Sequence, residues 1–300
     1  MSPTLRIVVT GTTGKIARSL VAAAAAAGVE VQAVGRPSLD LTDLDRLAPA
    51  IRAARPDVLV SAAAYTNVEG AESESDLAST INVRGAEALA NCARSLGIPI
   101  IHLSSSYVYD GMQSAPYREC DPTEPLCTYG RSKLTGERAV AGAHPEHVNL
   151  RLSWIYSQFG WNFVTAMLRQ AERSSNVRVV ADQIGNPTSA ADVAGGIIAV
   201  GRNLVLGKPQ RESYGTFHLS APDIITPAAF AAAIFAKSAK CGGPTANVIP
   251  ITRAEYTSKL RRPANAALDS TKIAEVHGVM LPTLEAPLHA CIEQILEKRT

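Results

Sequence analysis

Four short apolar runs divide the first hundred or so residues: LRIVVT at 5–10, VEVQAV at 29–34, PDVLVSAAA at 56–64 and IPIIHLS at 98–104. Stretches of helical character fill the gaps, one ending near Gly28, one from about Thr42 to Ala54 and one over roughly 73–97. Continuously apolar strands separated by helices predict a parallel sheet covered on both faces. The fold class is therefore α/β, a Rossmann-like doubly wound sheet. Between the first strand and the first helix lies TGTTGKIA, residues 10–17. Gly11 and Gly14 fit a G-x-x-G-x-x-G/A spacing with Ala17 in the third place. Such a turn lets the backbone approach a pyrophosphate, and the helix N-terminus behind it favours negative charge. An ordinary strand-to-helix turn carries the same residues; the position after the first strand makes dinucleotide binding the better reading.

The second half is less regular. VNLRLSWIY at 148–156 and VRVVAD at 177–182 read as strands, and AADVAGGIIAVGRNL at 190–204 as a helix. Residues 1–158 form the expected dinucleotide-binding domain. Residues 159–300 form mainly a smaller substrate lobe, interleaved so that some segments return to the sheet.

Composition excludes several classes. A net charge of +2 gives no reason to expect a nucleic-acid or membrane partner. The five cysteines are scattered without a CxxC pair, which argues against zinc. Their odd number, with no secretory pattern in MSPTLRIVVTG, predicts reduced thiols and a cytoplasmic location. The run VAAAAAAG at 21–28 is far too short to span a bilayer and reads as a helix end stopped by Gly28.

After the second strand an acidic residue would suit the adenosine ribose hydroxyls. Gly35 and Arg36 stand there instead. A guanidinium pairs well with a 2′-phosphate, which favours NADPH, with NADH left open. Further on, TYGRSK places Tyr129 and Lys133 four apart, on one face of a helix. An ammonium beside a phenol would lower the phenol's pKa, and a hydroxyl from the serine run SSSYVYDG at 104–111 could hold a carbonyl in line with it.

At this point the chain resembles the extended short-chain dehydrogenases/reductases, and within them it is similar to the dTDP-4-dehydrorhamnose reductases. The likeness runs through RPDVLVSAAAYTNVEGAES, SSSYVYDG, PYRECDPTEPLCTYGRSKLTGE, RLSWIYSQFGWNFVTAML, VVADQIGNPTSAADVA and RRPANAALDSTKI, in that order. It implies reduction of the C4 keto group of a nucleotide-activated 6-deoxyhexose, with dTDP-4-dehydro-L-rhamnose going to dTDP-L-rhamnose as the leading reaction. Ser105 would orient the carbonyl, Tyr129 would protonate the oxygen, and Lys133 would lower the Tyr129 pKa and hold the nicotinamide ribose. Lys15, Ile16, Asp40, Leu41, Ala62, Ala63, Ala64, Tyr65 and Thr66 fall in segments that line the cofactor in that family. Ser106, Trp154, Arg262 and Asn265 fall in segments that meet the sugar nucleotide.

The chain departs from the family pattern at Ser61, where asparagine is usual, at Ser106, where aspartate is usual, and at Ala266, where serine is usual. The last two leave open a different activated sugar. The family also resembles the non-catalytic β subunit of methionine adenosyltransferase, so an NADP-binding regulatory role is the other alternative. Some family members hold a metal between subunits through acidic residues just after the glycine turn. Ala17, Arg18 and Ser19 occupy those places here, so the resemblance implies none. A homodimer remains open.

Overall fold

The computed structural model describes residues 4–256 and 260–298, so the first three residues of the MSPTLRIVVTG opening lie outside it. In chain order the first half holds β1 Arg6–Thr10, α1 Lys15–Ala27, β2 Glu30–Val34, α2 Leu47–Ala54, β3 Val58–Ser61, α3 Ser75–Ser79, α4 Ala86–Leu96, β4 Ile100–Ser105, α5 Thr128–Ala143 and β5 His147–Leu152. The second half holds β6 Ile155–Tyr156, α6 Phe163–Ala171, β7 Asn176–Val180, β8 Thr188–Ser189, α7 Ala190–Val205, β9 Gly215–His218, α8 Pro227–Lys240, β10 Asn247–Ile251, α9 Thr271–His277 and α10 Glu285–Glu297.

Six strands form one parallel sheet in the order β2-β1-β3-β4-β5-β9. β2 and β3 flank β1, so the strand order reverses there, and a crevice opens beyond the carboxyl ends of β1 and β3. Ligands of doubly wound sheets bind in such a crevice. The strands alternate sides as their apolar sequences require. Ile7 and Val9 pack with Leu20 of α1 and Val193 and Ile197 of α7 on one face. Val8, Leu59 and Ile100 pack with Ile51 of α2, Leu89 of α4 and Val140 of α5 on the other. Each such side chain contributes about 1.5–3 kcal/mol of burial.

A second apolar cluster gathers Met167 and Leu168 of α6, Phe230 and Ile234 of α8 and Ile292 of α10 over Val177 and Val179 of β7. The chain enters this cluster at α6, leaves it for α7 and β9 on the large sheet, and returns at α8. Among the described residues no helix is long and apolar enough to cross a membrane. All five cysteines are free thiols.

The structure revises several sequence expectations. VRVVAD belongs to a two-stranded sheet with β10, apart from the six-stranded one. VNLRLSWIY is two strands, because the chain turns sharply at Trp154, whose φ is 41°. PDVLVSAAA leaves the ladder after Ser61, where the Thr10 hydroxyl accepts from the amides of Ala62 at 3.0 Å and Ala63 at 2.9 Å. The helix expected from Thr42 starts at Leu47 after a 3-10 turn. Asp40 accepts from the Thr42 amide and hydroxyl at 2.9 and 2.8 Å, which holds the segment as a turn. The stretch over 73–97 contains a π turn at Thr80–Gly85, between α3 and α4.

Candidate active site

At the crevice, Gly11 has a φ of 90° and its amide donates to the Val34 carbonyl at 2.7 Å, carrying the β1–β2 ladder one step into the turn before α1. Gly14 is the N-cap of α1; it has no side chain to cap the helix, and the first turn carries no acidic residue. Nothing lies within 4 Å of where a Gly14 Cβ would stand. The first-turn amides and the positive end of the helix thus face open space, which suits a pyrophosphate in charge and in room. Lys15 is partly buried there, and burial lowers its pKa. Ile16 anchors the same turn to the core.

Gly35 ends β2 close against Thr12; a Cβ there would be 3.1 Å from the Thr12 nitrogen. Arg36 is exposed just beyond and helps to lower the Asp40 carboxyl pKa, after the two Thr42 hydrogen bonds. Asp40 is thus engaged with Thr42, and Leu41 is buried against Gly85. Across the crevice, Ala62, Ala63 and Ala64 are half-buried, with Ala63 packed on Gly11, and Thr66 is exposed. The Tyr65 main chain is clamped by Asn82, whose Oδ1 accepts from the Tyr65 amide at 2.8 Å and whose Nδ2 donates to its carbonyl at 3.1 Å. The uncapped helix end, the open space at Gly14 and the exposed Arg36 fit a nicotinamide dinucleotide phosphate.

The reactive groups come from β4 and α5. Ser105 ends β4; its hydroxyl accepts from the Tyr107 amide at 3.2 Å and lies near enough to the Tyr129 phenol to lower its pKa. α5 begins where Glu72 accepts from the Thr128 amide at 2.7 Å and hydroxyl at 2.9 Å, a carboxylate at the positive end of the helix. The helix runs close to two neighbours: a Cβ on Gly130 would collide with the Tyr107 carbonyl and one on Gly136 with the Asn82 carbonyl. Small residues at these two places therefore set how near Tyr129 and Lys133 come to β4. Tyr107 meets Tyr129 edge-on, with ring centroids 5.6 Å apart.

Lys133 is buried, 2% exposed, and its Nζ lies 3.3 Å from His102 Nε2. Burial lowers its pKa to about 8, with the Glu137 charge working the other way. The Tyr129 phenol corrects an expectation. Burial pushes it up to about 12, against the opposing effect of Ser105. The ammonium that was expected to lower it is turned toward His102 instead.

The sugar-side residues are spread over loops. Ser106 is buried at the start of a 3-10 turn, and Ser104 is buried with its hydroxyl unpartnered. The Trp154 indole lies on Gly185, where a Cβ would collide with the ring. A tryptophan at positive φ costs on the order of 1–3 kcal/mol and persists where surroundings hold it. Arg262 donates to the Tyr107 hydroxyl at 3.3 Å and to Glu69 at 3.1 Å. Asn265 was expected to meet substrate, yet both its amide hydrogens are committed to the carbonyls of Gln113 and Ala115, at 2.9 and 2.8 Å. Its part here is to brace the loop.

Sequence reading missed four polar residues behind the site. Asn82, in the π turn, donates to Ser132 at 2.9 Å, and Ser132 donates to the Tyr129 carbonyl at 2.8 Å. Glu137 and Arg151, 3% and 5% exposed, form a forked ion pair, with Arg151 also donating to Tyr109 at 2.6 Å. The fourth is His102. The available signal was a charged or polar residue at an inward position of an apolar run. Among the described residues, one group has metal-ligating side chains close together: Cys241, His289 and Glu293. There His289 faces Cys241 with Nδ1 and Glu293 with Nε2.

A doubly wound parallel sheet with a glycine turn, and with serine, tyrosine and lysine converging beside its crevice, defines an extended short-chain dehydrogenase/reductase. Residues 5–297 match the family model described as the RmlD substrate binding domain. The chain belongs to that family, the dTDP-4-dehydrorhamnose reductases. It is 45% identical over 281 residues to the dTDP-4-dehydrorhamnose reductase of Sinorhizobium fredii (strain NBRC 101917 / NGR234), covering 94% of each chain. It is 39% identical to that of Aggregatibacter actinomycetemcomitans, covering 91% of this chain and 94% of the other. The crystal structure of the Bacillus anthracis dTDP-4-dehydrorhamnose reductase in complex with NADP superposes with a TM-score of 0.88 at 28% identity, covering 96% of this chain and 99% of that one.

Proposed function

We infer that this chain reduces the C4 keto group of a nucleotide-activated 6-deoxyhexose at the expense of NAD(P)H, with dTDP-4-dehydro-L-rhamnose going to dTDP-L-rhamnose. It is an oxidoreductase of the dTDP-4-dehydrorhamnose reductase kind, by kinship along nearly its whole length. The observation that carries the chemistry is the placement of the Ser105 hydroxyl, at the end of β4, near enough to act on the Tyr129 phenol of α5. Two hydroxyls so placed can both reach one carbonyl oxygen.

Gly11, Gly14 and Lys15 would hold the pyrophosphate of the cofactor, and Arg36 its 2′-phosphate. When bound, the cofactor supplies a hydride for C4. Ser105 orients the carbonyl and Tyr129 donates its proton to the oxygen as charge develops there, the usual action of preset donors. A phenol held at about 12 is fully protonated at neutral pH and ready to donate. Lys133 would reach the nicotinamide ribose by turning part of its donor set away from His102.

Trp154 would offer its broad apolar face to the pyranose and Arg262 its guanidinium to the diphosphate. Ser106 and Ala266, in place of the family's aspartate and serine, support a second reading with a different sugar. The free thiols and the absence of a crossing helix among the described residues suit a cytoplasmic enzyme. The test is NADPH oxidation with a panel of dTDP-, GDP- and UDP-linked 4-keto sugars. The dTDP-4-dehydro-L-rhamnose sample is expected to turn over fastest; NADPH binding without turnover of any member would point to the regulatory alternative.

A further inference from the structure

His102 is a polar residue in the middle of the sheet, on a strand that otherwise buries isoleucine and leucine. It stands directly across from Ser61 in the β3–β4 register, and each is 2% exposed. Its Nδ1 lies 3.0 Å from the Ser61 Oγ and its Nε2 lies 3.3 Å from the Lys133 Nζ. An ammonium has hydrogens to give and no lone pair, so Nε2 must accept from it. The ring proton then sits on Nδ1 and is donated to Ser61, whose hydroxyl can accept. The ammonium thereby selects the tautomer, and Ser61 supplies the acceptor for its Nδ1 proton.

We propose that His102, in that tautomer and braced by Ser61, is the positioning residue for Lys133. The inference rests on the reductase reading for its catalytic consequence but not for its geometry. The ring is kept neutral by burial first and by the Lys133 charge second, which hold its pKa well below the ordinary value. A relay in which Lys133 passes its proton to His102 would move the cation from the ammonium onto a ring that burial holds neutral, so the ring serves as an acceptor and not as a proton carrier. A neutral acceptor also leaves the ammonium's charge intact for an incoming ligand, where a carboxylate would compete with that ligand. The groups acting on Lys133 are His102 from β4 and Glu137 from its own helix, with Arg151 of β5 paired to Glu137; His147 of β5 acts on His102 after burial and the Lys133 charge. Gly136 lies beside the pair: a Cβ there would collide with the Asn82 carbonyl and stand in ordinary contact, 3.7 Å, with the His102 Nε2.

The experiment compares His102→Leu, His102→Gln and Ser61→Ala with the wild type, each checked for folding by its melting temperature. Losing the acceptor destabilises the charged form of Lys133. The alkaline loss of NADPH affinity, expected near pH 8 in the wild type, should therefore move to lower pH in His102→Leu. Turnover should fall by on the order of tenfold or more with little change in sugar KM. His102→Gln, whose amide oxygen reaches the place of Nε2, should recover most of both, and Ser61→Ala should give a smaller shift in the same direction. Nitrogen NMR of the His102 ring in the wild type should show a neutral Nδ1–H tautomer from pH 6 to 7, where Lys133 is charged. An unshifted pH limb in a folded His102→Leu, or an Nε2–H or doubly protonated ring in that range, would overturn the proposal. If His102→Leu does not fold, an unshifted limb in Ser61→Ala together with the wrong tautomer overturns it equally. The NMR and NADPH-binding readouts need no sugar, so they remain decisive even if the sugar panel fails.

Discussion

The two sides of the crevice are built differently. On one side Ser105, Tyr129 and Lys133 stand on β4 and α5, held from behind by Asn82, His102 and the Glu137–Arg151 ion pair. On the other side Trp154, Arg262 and Ser106 stand on loops or short turns, Trp154 against Gly185 and Arg262 between Tyr107 and Glu69. Groups on regular elements with buried partners keep their geometry to a fraction of an ångström, whereas loops accept substitution. The sequence departs from its family on both sides, at Ser61 behind His102 and at Ser106 and Ala266. The Ser105, Tyr129 and Lys133 set is intact, while Ser106 and Ala266 have changed.

Breaking the rigid side should cost the most. Tyr129→Phe removes the proton donor and keeps the ring that packs on Tyr107, so turnover should fall by on the order of a thousandfold or more. NADPH affinity, measured by fluorescence titration, should hardly change; turnover near the wild-type level would take Tyr129 out of the chemistry. Ser105→Ala should cost on the order of a hundredfold, the usual effect of losing one oxyanion donor. Its neighbour gives the contrast: Ser104 has a buried, unpartnered hydroxyl, so Ser104→Ala should leave kcat alone and keep or raise the melting temperature. Equal losses at both serines would show that the loop has been assigned wrongly.

The loop side should respond in binding. Gly185→Ala puts a methyl where the Trp154 indole lies, and overpacking of about 1.4 kcal/mol would raise the sugar KM roughly tenfold with kcat little changed. A fall in kcat with KM intact would mean that Trp154 belongs to the rigid side after all. The smallest effect is expected at the cofactor rim. Arg36→Asp should shift the ratio of kcat/KM values for NADPH and NADH several-fold toward NADH, and an unchanged ratio would leave Arg36 a solvent-facing residue.

The legibility of the sequence follows the same division. Strand–helix alternation and the glycine turn fixed the first half well, because parallel strands buried on both faces must be apolar throughout. Tyr129 and Lys133 were found because helical spacing ties them to one face. The partners behind them were not, since His102, Asn82 and Arg151 make their contacts across strands and helices far apart in sequence, and no local period marks them. Thr10 was missed for the same reason, as its hydroxyl caps a strand 52 positions away. The turn at Trp154 was invisible because its support, Gly185, lies on another segment of the chain. Asn265 was read correctly as special and wrongly as exposed to ligand, because an asparagine that braces a loop and one that binds a sugar look alike in sequence.

The late arrival of β9 has a consequence for how the protein is made. β5 and β9 are neighbours in the sheet, yet about sixty residues of chain separate the end of one from the start of the other, which at the usual pace of synthesis is several seconds on the ribosome. During that interval β5 is an edge strand with open hydrogen-bonding groups, and Leu150 awaits Phe217 and the cover of α7. The reacting serine, tyrosine and lysine are thus all synthesised before the sheet that positions them can close. Any nascent chain that stalls between α6 and β9 would expose a sticky β edge, and that interval is where a holding chaperone would do the most good.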